Sequence, residues 1–290
     1  MADAVRVDGL GPGDHACLTF SDPQERLDLV AAFVRDGLRL RHKVLCWTDS
    51  ISPAELGREL TGRAVRIRGA LARGQLHLTT AEVGLLDQAV ADPGSMVRTI
   101  AAQLDQASRE GYAGLRITAD MCWATRPSTA PDGLLAFETE VAGLFADGRL
   151  CVICQYDRSR FDAVTLAFAA RAHPRTIAAQ AYHDDVLLRI CRQYRPPGVR
   201  VAGELDYRYL DTFGVALTES MRLDRNPYLN LTGLDYIDAA CATAVVQAAG
   251  QLPRSRHVTI ACRGLVRTVL DLVGAGTADR IRMRPRDDQS

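Results

Sequence analysis

The chain has 290 residues, of which 35 are basic and 35 acidic, so its formal net charge is zero. This length favours two domains of average size, each large enough to bury its own core. The balanced charge removes the general attraction to phosphate backbones, and we therefore expect no nucleic-acid partner.

No stretch approaches the ~20 consecutive apolar residues of a membrane span. The first eight residues also lack the basic and apolar regions of an export signal. We therefore expect a cytoplasmic protein without membrane association, whose eight cysteines are reduced thiols. Cys151 and Cys154 form a CxxC pattern, but an offset of three on a strand directs the two sulfurs to opposite faces. This spacing argues against a shared metal or a disulfide.

The first half of the chain alternates short apolar runs with helical patterns, which indicates a parallel sheet covered by helices. Helices are predicted after Pro23 and Pro53, because proline is favoured at the first helical position. Three further helices are predicted from apolar residues at helical spacing. The predicted strands are residues 15–20, 44–47, 75–79, 114–120 and 150–154.

An alanine-rich connector, residues 176–180, precedes the second half. Two strands are predicted to pair across the turn-forming sequence 195–198. Three helices alternate with the remaining strands, which gives a compact α/β domain with a core at about 185–284. The predicted strands are residues 186–190, 199–202, 228–231 and 257–262. We divide the chain into domains 1–180 and 181–290.

Candidate ligand-binding residues follow the predicted strands of the first domain. In open α/β sheets, ligands bind at the carboxyl ends of the strands. Aromatic rings, carboxylates and a thiol at this edge could line a small-molecule pocket, although simple polar loops explain the pattern equally well. The candidates are His15, Phe20, Asp120, Cys122, Trp123, Tyr156 and Asp157.

Catalytic motifs are not evident. The loop that follows the first strand, residues 21–26, contains neither the glycines nor the lysine with which P-loop enzymes hold phosphates. The histidines are scattered without a metal-binding spacing such as HExxH, and no serine lies in a GxSxG elbow. We therefore predict a protein that is not an enzyme and has no catalytic residue, metal or cofactor.

The second domain resembles a STAS domain, the fold of bacterial anti-sigma-factor antagonists. The resemblance rests on residues 203–206, 229–238 and 265–274. In that family an aspartate at the start of a helix precedes a phosphorylated serine or threonine. Here Asp238 keeps the aspartate, but Ala240 occupies the phosphoacceptor position and Cys241 replaces a glycine. The resemblance implies a partner-binding surface at Thr232, Asp238, Ala240, Cys241 and Thr243, without the usual phosphorylation switch.

The first domain resembles the MEDS domain, a sensory module of bacterial and archaeal regulators. The matching blocks are residues 13–17, 114–124, 154–161 and 173–174. The resemblance implies a RecA-like three-layer fold that has lost its phosphate loop. It also implies sensing of small organic or hydrocarbon-like molecules.

Together the two resemblances imply a bacterial, actinobacterial signalling protein in transcription regulation. A small organic ligand at the first domain would change how the second engages an anti-sigma factor or related regulatory protein. A constitutive interaction module without ligand sensing stays open as an alternative, as does a degenerate nucleotide-binding or thiol-based activity. A homodimer also stays open.

Overall fold

The computed structural model describes residues 3–5, 7–86, 92–126, 133–177 and 181–284. The chain forms two compact units, residues 1–178 and 179–290. The connector predicted at 176–180 begins within a short strand, and its residues 178–180 lie outside the described residues.

A parallel sheet of seven strands forms the centre of the first unit, in the order β1-β7-β2-β6-β5-β3-β4. The strands are β1 (Asp3–Val5), β2 (His15–Phe20), β3 (Lys43–Thr48), β4 (Leu76–Thr80), β5 (Leu115–Asp120), β6 (Leu150–Asp157) and β7 (Arg175–Ile177). Every residue of β3 and β5 is buried. Burial on both faces agrees with the continuous apolar run of residues 44–47 in β3, whereas β5 alternates apolar and polar residues although all of them are buried.

Among the described residues, seven α-helices accompany this sheet: α1 (Pro23–Arg39), α2 (Pro53–Gly62), α3 (Ile67–Ala72), α4 (Ala81–Gly84), α5 (Pro93–Arg109), α6 (Gly133–Glu140) and α7 (Ala163–Ala172). The local sequence fixes where they begin. Ser52 caps α2 in a capping box with Glu55, and Asp92 caps α5 by accepting a hydrogen bond from the backbone of Ser95. Such caps satisfy backbone donors that a helix leaves unpaired at its first turn.

Helices cover both faces of the sheet. On one face, apolar residues of α1, α2 and α3 pack against Val44 and Cys46 of β3. On the other face, α5 and α6 pack against the alternate residues of the strands, including Leu45 and Trp47. The first unit is therefore a three-layer α/β structure, as the sequence predicts.

The second unit contains a sheet of six strands in the order β13-β12-β11-β10-β9-β8. The strands are β8 (Ala181–Asp184), β9 (Leu188–Tyr194), β10 (Pro197–Leu205), β11 (Tyr228–Ile237), β12 (Val258–Ala261) and β13 (Ile281–Met283). Strands β8, β9 and β10 pair antiparallel, whereas β10 to β13 pair parallel. The sheet is therefore mixed.

Three α-helices, α8 (Leu210–Leu223), α9 (Ala239–Gly250) and α10 (Gly264–Leu272), share one core with this sheet. Phe213 of α8 and Val245 of α9 are fully buried against apolar residues of the central strands. In the described part of the chain, no helix is both long and apolar enough to cross a membrane.

Candidate functional site

A buried network of polar side chains closes the carboxyl edge of the first sheet. Arg26 of α1 donates from Nη2 to Asp120 Oδ2 at 2.8 Å, from Nε to Gln155 Oε1 at 2.5 Å and from Nη1 to Ser50 Oγ at 2.6 Å. Its guanidinium also lies 4.9 Å from the centre of the Phe20 ring. The enclosed space beside Arg26 has a volume of about 10 Å³, roughly that of one water molecule.

The charge state of Asp120 follows from these contacts. Burial alone would raise the pKa of this carboxyl, but Arg26 and hydrogen bonds from Ser50 and the Cys122 amide outweigh it and lower the pKa to about 2. Asp120 is therefore ionised at neutral pH. Burial and the adjacent Asp120 charge raise the pKa of the Cys122 thiol to about 12, so Cys122 is not a nucleophile.

The amino terminus of α1 is already occupied by protein groups. Asp22 accepts hydrogen bonds from the backbone amides of Gln24 at 2.7 Å and Glu25 at 3.4 Å, and Pro23 has no amide hydrogen. An anion bound here would have to displace the Asp22 carboxylate from the same donors. The geometry agrees with the expected loss of a phosphate-binding loop.

A second buried network surrounds Glu138 of α6. Tyr156 donates a short hydrogen bond from its hydroxyl to Glu138 Oε1. Glu138 Oε2 lies 3.3 Å from His15 Nε2 and 3.4 Å from His173 Nε2, and Cys154 Sγ lies 3.5 Å from His15 Nε2. Polar side chains from β2, from β6, from α6 and from the segment that follows α7 thus meet at one place inside the unit.

Burial dominates the electrostatics of this second network. Burial and the neighbouring His173 hold the pKa of His15 well below its usual range, so His15 is neutral. Burial and the Glu138 charge raise the pKa of both the Cys154 thiol and the Tyr156 hydroxyl well above their usual ranges. All three side chains are therefore uncharged at neutral pH.

The candidate pocket residues do not line one open edge. Phe20, Asp120 and Cys122 belong to the surroundings of Arg26, whereas His15 and Tyr156 contact the Glu138 network. Trp123 is fully buried and packs edge-on against Phe137. Asp157 is partly exposed and accepts hydrogen bonds from Ser159. The aromatic rings of Phe20, Trp123 and Tyr156 are buried, with at most 4% of each residue exposed.

Two histidines that share no sequence motif lie side by side in the structure. His15 and His173 lie with their ring centres 4.0 Å apart, although 158 positions separate them in the sequence. Parallel strands bring such distant residues together, and no short motif records it. One signal was available: Glu138 lies on the apolar face of a helix, one turn after Leu134 and beside Phe137, where only a partnered carboxylate is tolerated.

The CxxC pattern has the arrangement that strand geometry predicts. Cys154 packs in the core on the α6 side of the sheet, whereas Cys151 points to the opposite face, towards Arg116. The two thiols cannot share a ligand.

Four of the predicted partner-binding residues of the second unit, Asp238, Ala240, Cys241 and Thr243, lie at or just after the start of α9, whereas Thr232 lies within β11. Asp238 caps this helix by accepting a hydrogen bond from the Cys241 amide at 2.8 Å, and Ala240 is exposed beside it. Thr232 donates its hydroxyl hydrogen to Asn230 Oδ1, and Thr243 donates its hydroxyl hydrogen to the carbonyl of Ala239, both at 2.7 Å. Cys241 is fully buried and belongs to the core.

Solved structures with similar folds come from archaea. A flagellar accessory protein, FlaH, from Methanocaldococcus jannaschii is 11% identical, with a TM-score of 0.44, and the match covers 64% of this chain and 80% of FlaH. A KaiC-like protein from Pyrococcus horikoshii OT3 is 9% identical, with a TM-score of 0.46, and the match covers 67% of this chain and 81% of that protein.

An uncharacterized protein from Pyrococcus horikoshii, solved in complex with an unknown peptide, is 12% identical with a TM-score of 0.50. The match covers 67% of this chain and 94% of that protein. At this identity the similarity shows the fold alone.

Sequence comparison identifies the family. No curated protein matches the sequence. Residues 14–174 match the model of a sensory domain, and they make up more than half of the 290-residue chain. The matched range contains both buried networks described above, around Arg26 and around Glu138. The chain therefore belongs to the MEDS family, described as the MEthanogen/methylotroph, DcmR Sensory domain.

Proposed function

We propose that the chain is a non-enzymatic signalling protein in which the first unit senses a small organic molecule and the second binds a regulatory protein. The match of residues 14–174 to a sensory domain carries the first half of this proposal. The second unit is proposed to be a STAS-type domain whose partner is an anti-sigma factor or a related regulator in transcription.

The filled carboxyl edge of the first unit supports a function other than nucleotide hydrolysis. A hydrolase that holds phosphates at a helix amino terminus needs free backbone donors and a cation that faces the phosphates. Here the Asp22 carboxylate accepts hydrogen bonds from the backbone amides at the start of α1. The guanidinium of Arg26 is buried in an ion pair with Asp120. A ligand that reaches this edge must separate Arg26 from Asp120, which would couple binding to a change in the position of α1.

Exposed aromatic residues near the start of α9 support partner binding by the second unit. Tyr207 is 71% exposed and Tyr236 is 43% exposed. The backbone amide of Tyr207 donates to Asp238, so both tyrosines lie at the same edge of the sheet as Ala240. Tyrosine is enriched among the residues that contribute most to protein interfaces. Because Ala240 carries no hydroxyl group, we propose that binding here does not depend on phosphorylation.

Tyr236→Ala is expected to weaken partner capture at least about tenfold, because a central interface tyrosine contributes about 2 kcal/mol or more. The measurement is capture of proteins from the host by the full chain, with the partner identified as an anti-sigma factor by mass spectrometry. Leu272→Ala is the matched control. Leu272 is 80% exposed but lies at the end of α10, towards the opposite edge of the sheet.

Equal loss of the partner in both variants would contradict a binding surface at α9. Phosphate at Thr232 or Thr243 in the captured chain would contradict binding that is independent of phosphorylation. The same partner captured with and without host metabolites would favour a constitutive interaction module over a sensor.

ATP with Mg²⁺ is expected to leave the melting temperature of the full chain unchanged, because the amino terminus of α1 offers no free donors to phosphates. Differential scanning fluorimetry at increasing ATP concentrations measures this directly. A ligand present at about 100 times its Kd would stabilise the folded state by about 2.7 kcal/mol. Binding of ATP would therefore be detected as a clear rise in the melting temperature. Such a rise would favour the nucleotide-binding alternative.

A further inference from the structure

Four buried side chains of the first unit converge on one point: His15 on β2, Glu138 on α6, Cys154 on β6 and His173 after α7. We call them the His–Glu–Cys cluster. One ligand atom from each lies within 4.8 Å of the ligand atoms of all the others. None of the four residues is more than 2% exposed.

The cluster is not a satisfied hydrogen-bond network. Glu138 Oε2 and His173 Nε2 are 3.4 Å apart, yet neither atom has a hydrogen-bond partner among the described residues. A buried polar atom that is left unpaired costs about 1–3 kcal/mol, so native proteins rarely leave several together.

Outer hydrogen bonds hold two of the four side chains, Glu138 and His173, whereas His15 Nδ1 has no hydrogen-bond partner among the described residues. Tyr156 donates its hydroxyl hydrogen to Oε1 of Glu138 and so leaves Oε2 for the interior. The Nδ1 atom of His173 lies 2.7 Å from the carbonyl oxygen of Ala169. Since a carbonyl can only accept, Nδ1 carries the hydrogen, and the lone pair of Nε2 faces the cluster. Metal-bound histidines and carboxylates are typically held by such outer hydrogen bonds.

Three of the six separations between the ligand atoms match the edges of a tetrahedral metal site, and all six are within 4.8 Å. With metal–nitrogen and metal–oxygen bonds of about 2.0–2.1 Å and a metal–sulfur bond of about 2.3 Å, neighbouring ligand atoms are about 3.3–3.6 Å apart. The measured distances from His15 Nε2 to Glu138 Oε2 and to Cys154 Sγ are 3.3 and 3.5 Å. The distance from His173 Nε2 to Glu138 Oε2 is 3.4 Å.

The geometry points to a structural zinc site formed by His15, Glu138, Cys154 and His173. Two neutral imidazoles, one carboxylate and one thiolate suit Zn²⁺, and their two negative charges cancel the charge of the ion. A neutral complex is the form that a site without solvent access tolerates best. Four protein ligands leave no open position, which is typical of structural rather than catalytic zinc.

Zinc binding at this cluster would release one proton, because the Cys154 thiol must become a thiolate to bind the ion. The bound ion would join α6 to strands β2 and β6 and to the segment that follows α7. It would thereby fix α6 over the core that contains Trp123 and Phe137.

The test is reconstitution of the full chain with Co²⁺ after removal of bound metal by a chelator, followed by absorption spectroscopy. We expect one bound Co²⁺ per chain. Its visible d–d absorption bands should have the intensity that is typical of tetrahedral Co²⁺, and the Cys154 thiolate should add a charge-transfer band. Cys154→Ser should abolish the charge-transfer band. Tyr156→Phe should weaken metal affinity about 10–100-fold, because Glu138 loses the group that orients it.

Cys151→Ser is the matched control, since Cys151 lies on the same strand but points to the opposite face, and its spectrum should equal that of the unmodified chain. Circular dichroism checks that each variant is folded. The proposal is overturned if the unmodified chain binds less than stoichiometric Co²⁺, or binds it without a thiolate band. It is also overturned if Cys154→Ser, once folded, keeps that band. Where Cys154→Ser does not fold, the spectrum of the unmodified chain and the affinity of Tyr156→Phe decide.

Discussion

Asp120→Asn is expected to lower the free energy of unfolding of the first unit by about 3–5 kcal/mol. The substitution keeps the shape of the side chain but leaves Arg26 as a buried cation without its counter-charge, and breaking a buried ion pair has this cost. Both side chains are at most 6% exposed, and their charged atoms are 2.8 Å apart. Denaturation followed by tryptophan fluorescence reports on this unit, because the only two tryptophans, Trp47 and Trp123, lie in its core.

Asp147→Asn is the matched control for this substitution. Asp147 and Arg149 also form an ion pair, with a distance of 2.6 Å, but both side chains are more than 40% exposed. Solvent screens such pairs, and their contribution is below about 1 kcal/mol. Similar losses in the two variants would contradict a special role for the Arg26–Asp120 pair.

The pH dependence of stability has a defined direction at Asp120. The contacts of the folded unit lower the pKa of this carboxyl from an ordinary value near 3.8 to about 2. A lowered pKa stabilises the folded state above pH 4, and this contribution is lost as the pH falls from about 4 to about 2. Its size is about 2–3 kcal/mol, since one pKa unit corresponds to about 1.4 kcal/mol. Asp120→Asn should therefore flatten the stability profile in this range.

The sequence was sufficient to predict the strands at the centre of the first sheet, because short segments rich in apolar and β-branched residues alternate with helical patterns. Strand β2, for example, has the predicted bounds. It did not predict β1, β7, β8 and β13, which have only three or four residues and depend on neighbours that are distant in sequence. Residues 186–187 were predicted as part of a strand, but Val186 is fully exposed in the turn before β9.

The binding of a ligand by the candidate residues stays a prediction, and the sequence did not indicate which side chains contact them. The strand-end rule found Asp120 but could not show that Arg26, a residue within a helix pattern, covers it. Likewise it found Tyr156 but not Glu138, whose partners come from three separate parts of the chain. Solvent exposure and side-chain partners depend on how helices pack over the sheet, and a single sequence carries little information about that packing.

Gly203→Ala is expected to destabilise the second unit by about 3–5 kcal/mol. Gly203 has a φ angle of +102°, which strains any residue with a Cβ atom. An added Cβ atom would lie 2.0 Å from the carbonyl oxygen of Leu187. That oxygen also accepts a hydrogen bond from the Glu204 amide, so it cannot move away without breaking the junction of β9 and β10. Strain and overpacking each contribute about 1–3 kcal/mol.

Gly214→Ala is the matched control in the same unit, measured with Gly203→Ala by far-ultraviolet circular dichroism during chemical denaturation. Gly214 lies inside α8 with no atom within 4 Å of an added Cβ atom, so alanine should stabilise the helix by about 0.5–1 kcal/mol. If the two substitutions change the free energy of unfolding in opposite directions, adding a methyl group has no general cost in this unit. The backbone geometry at Gly203 then determines its loss of stability. If Gly203→Ala lowers the free energy of unfolding by less than about 1 kcal/mol, the hairpin of β9 and β10 can rearrange to accommodate the methyl group. The structure would then not require a glycine at position 203.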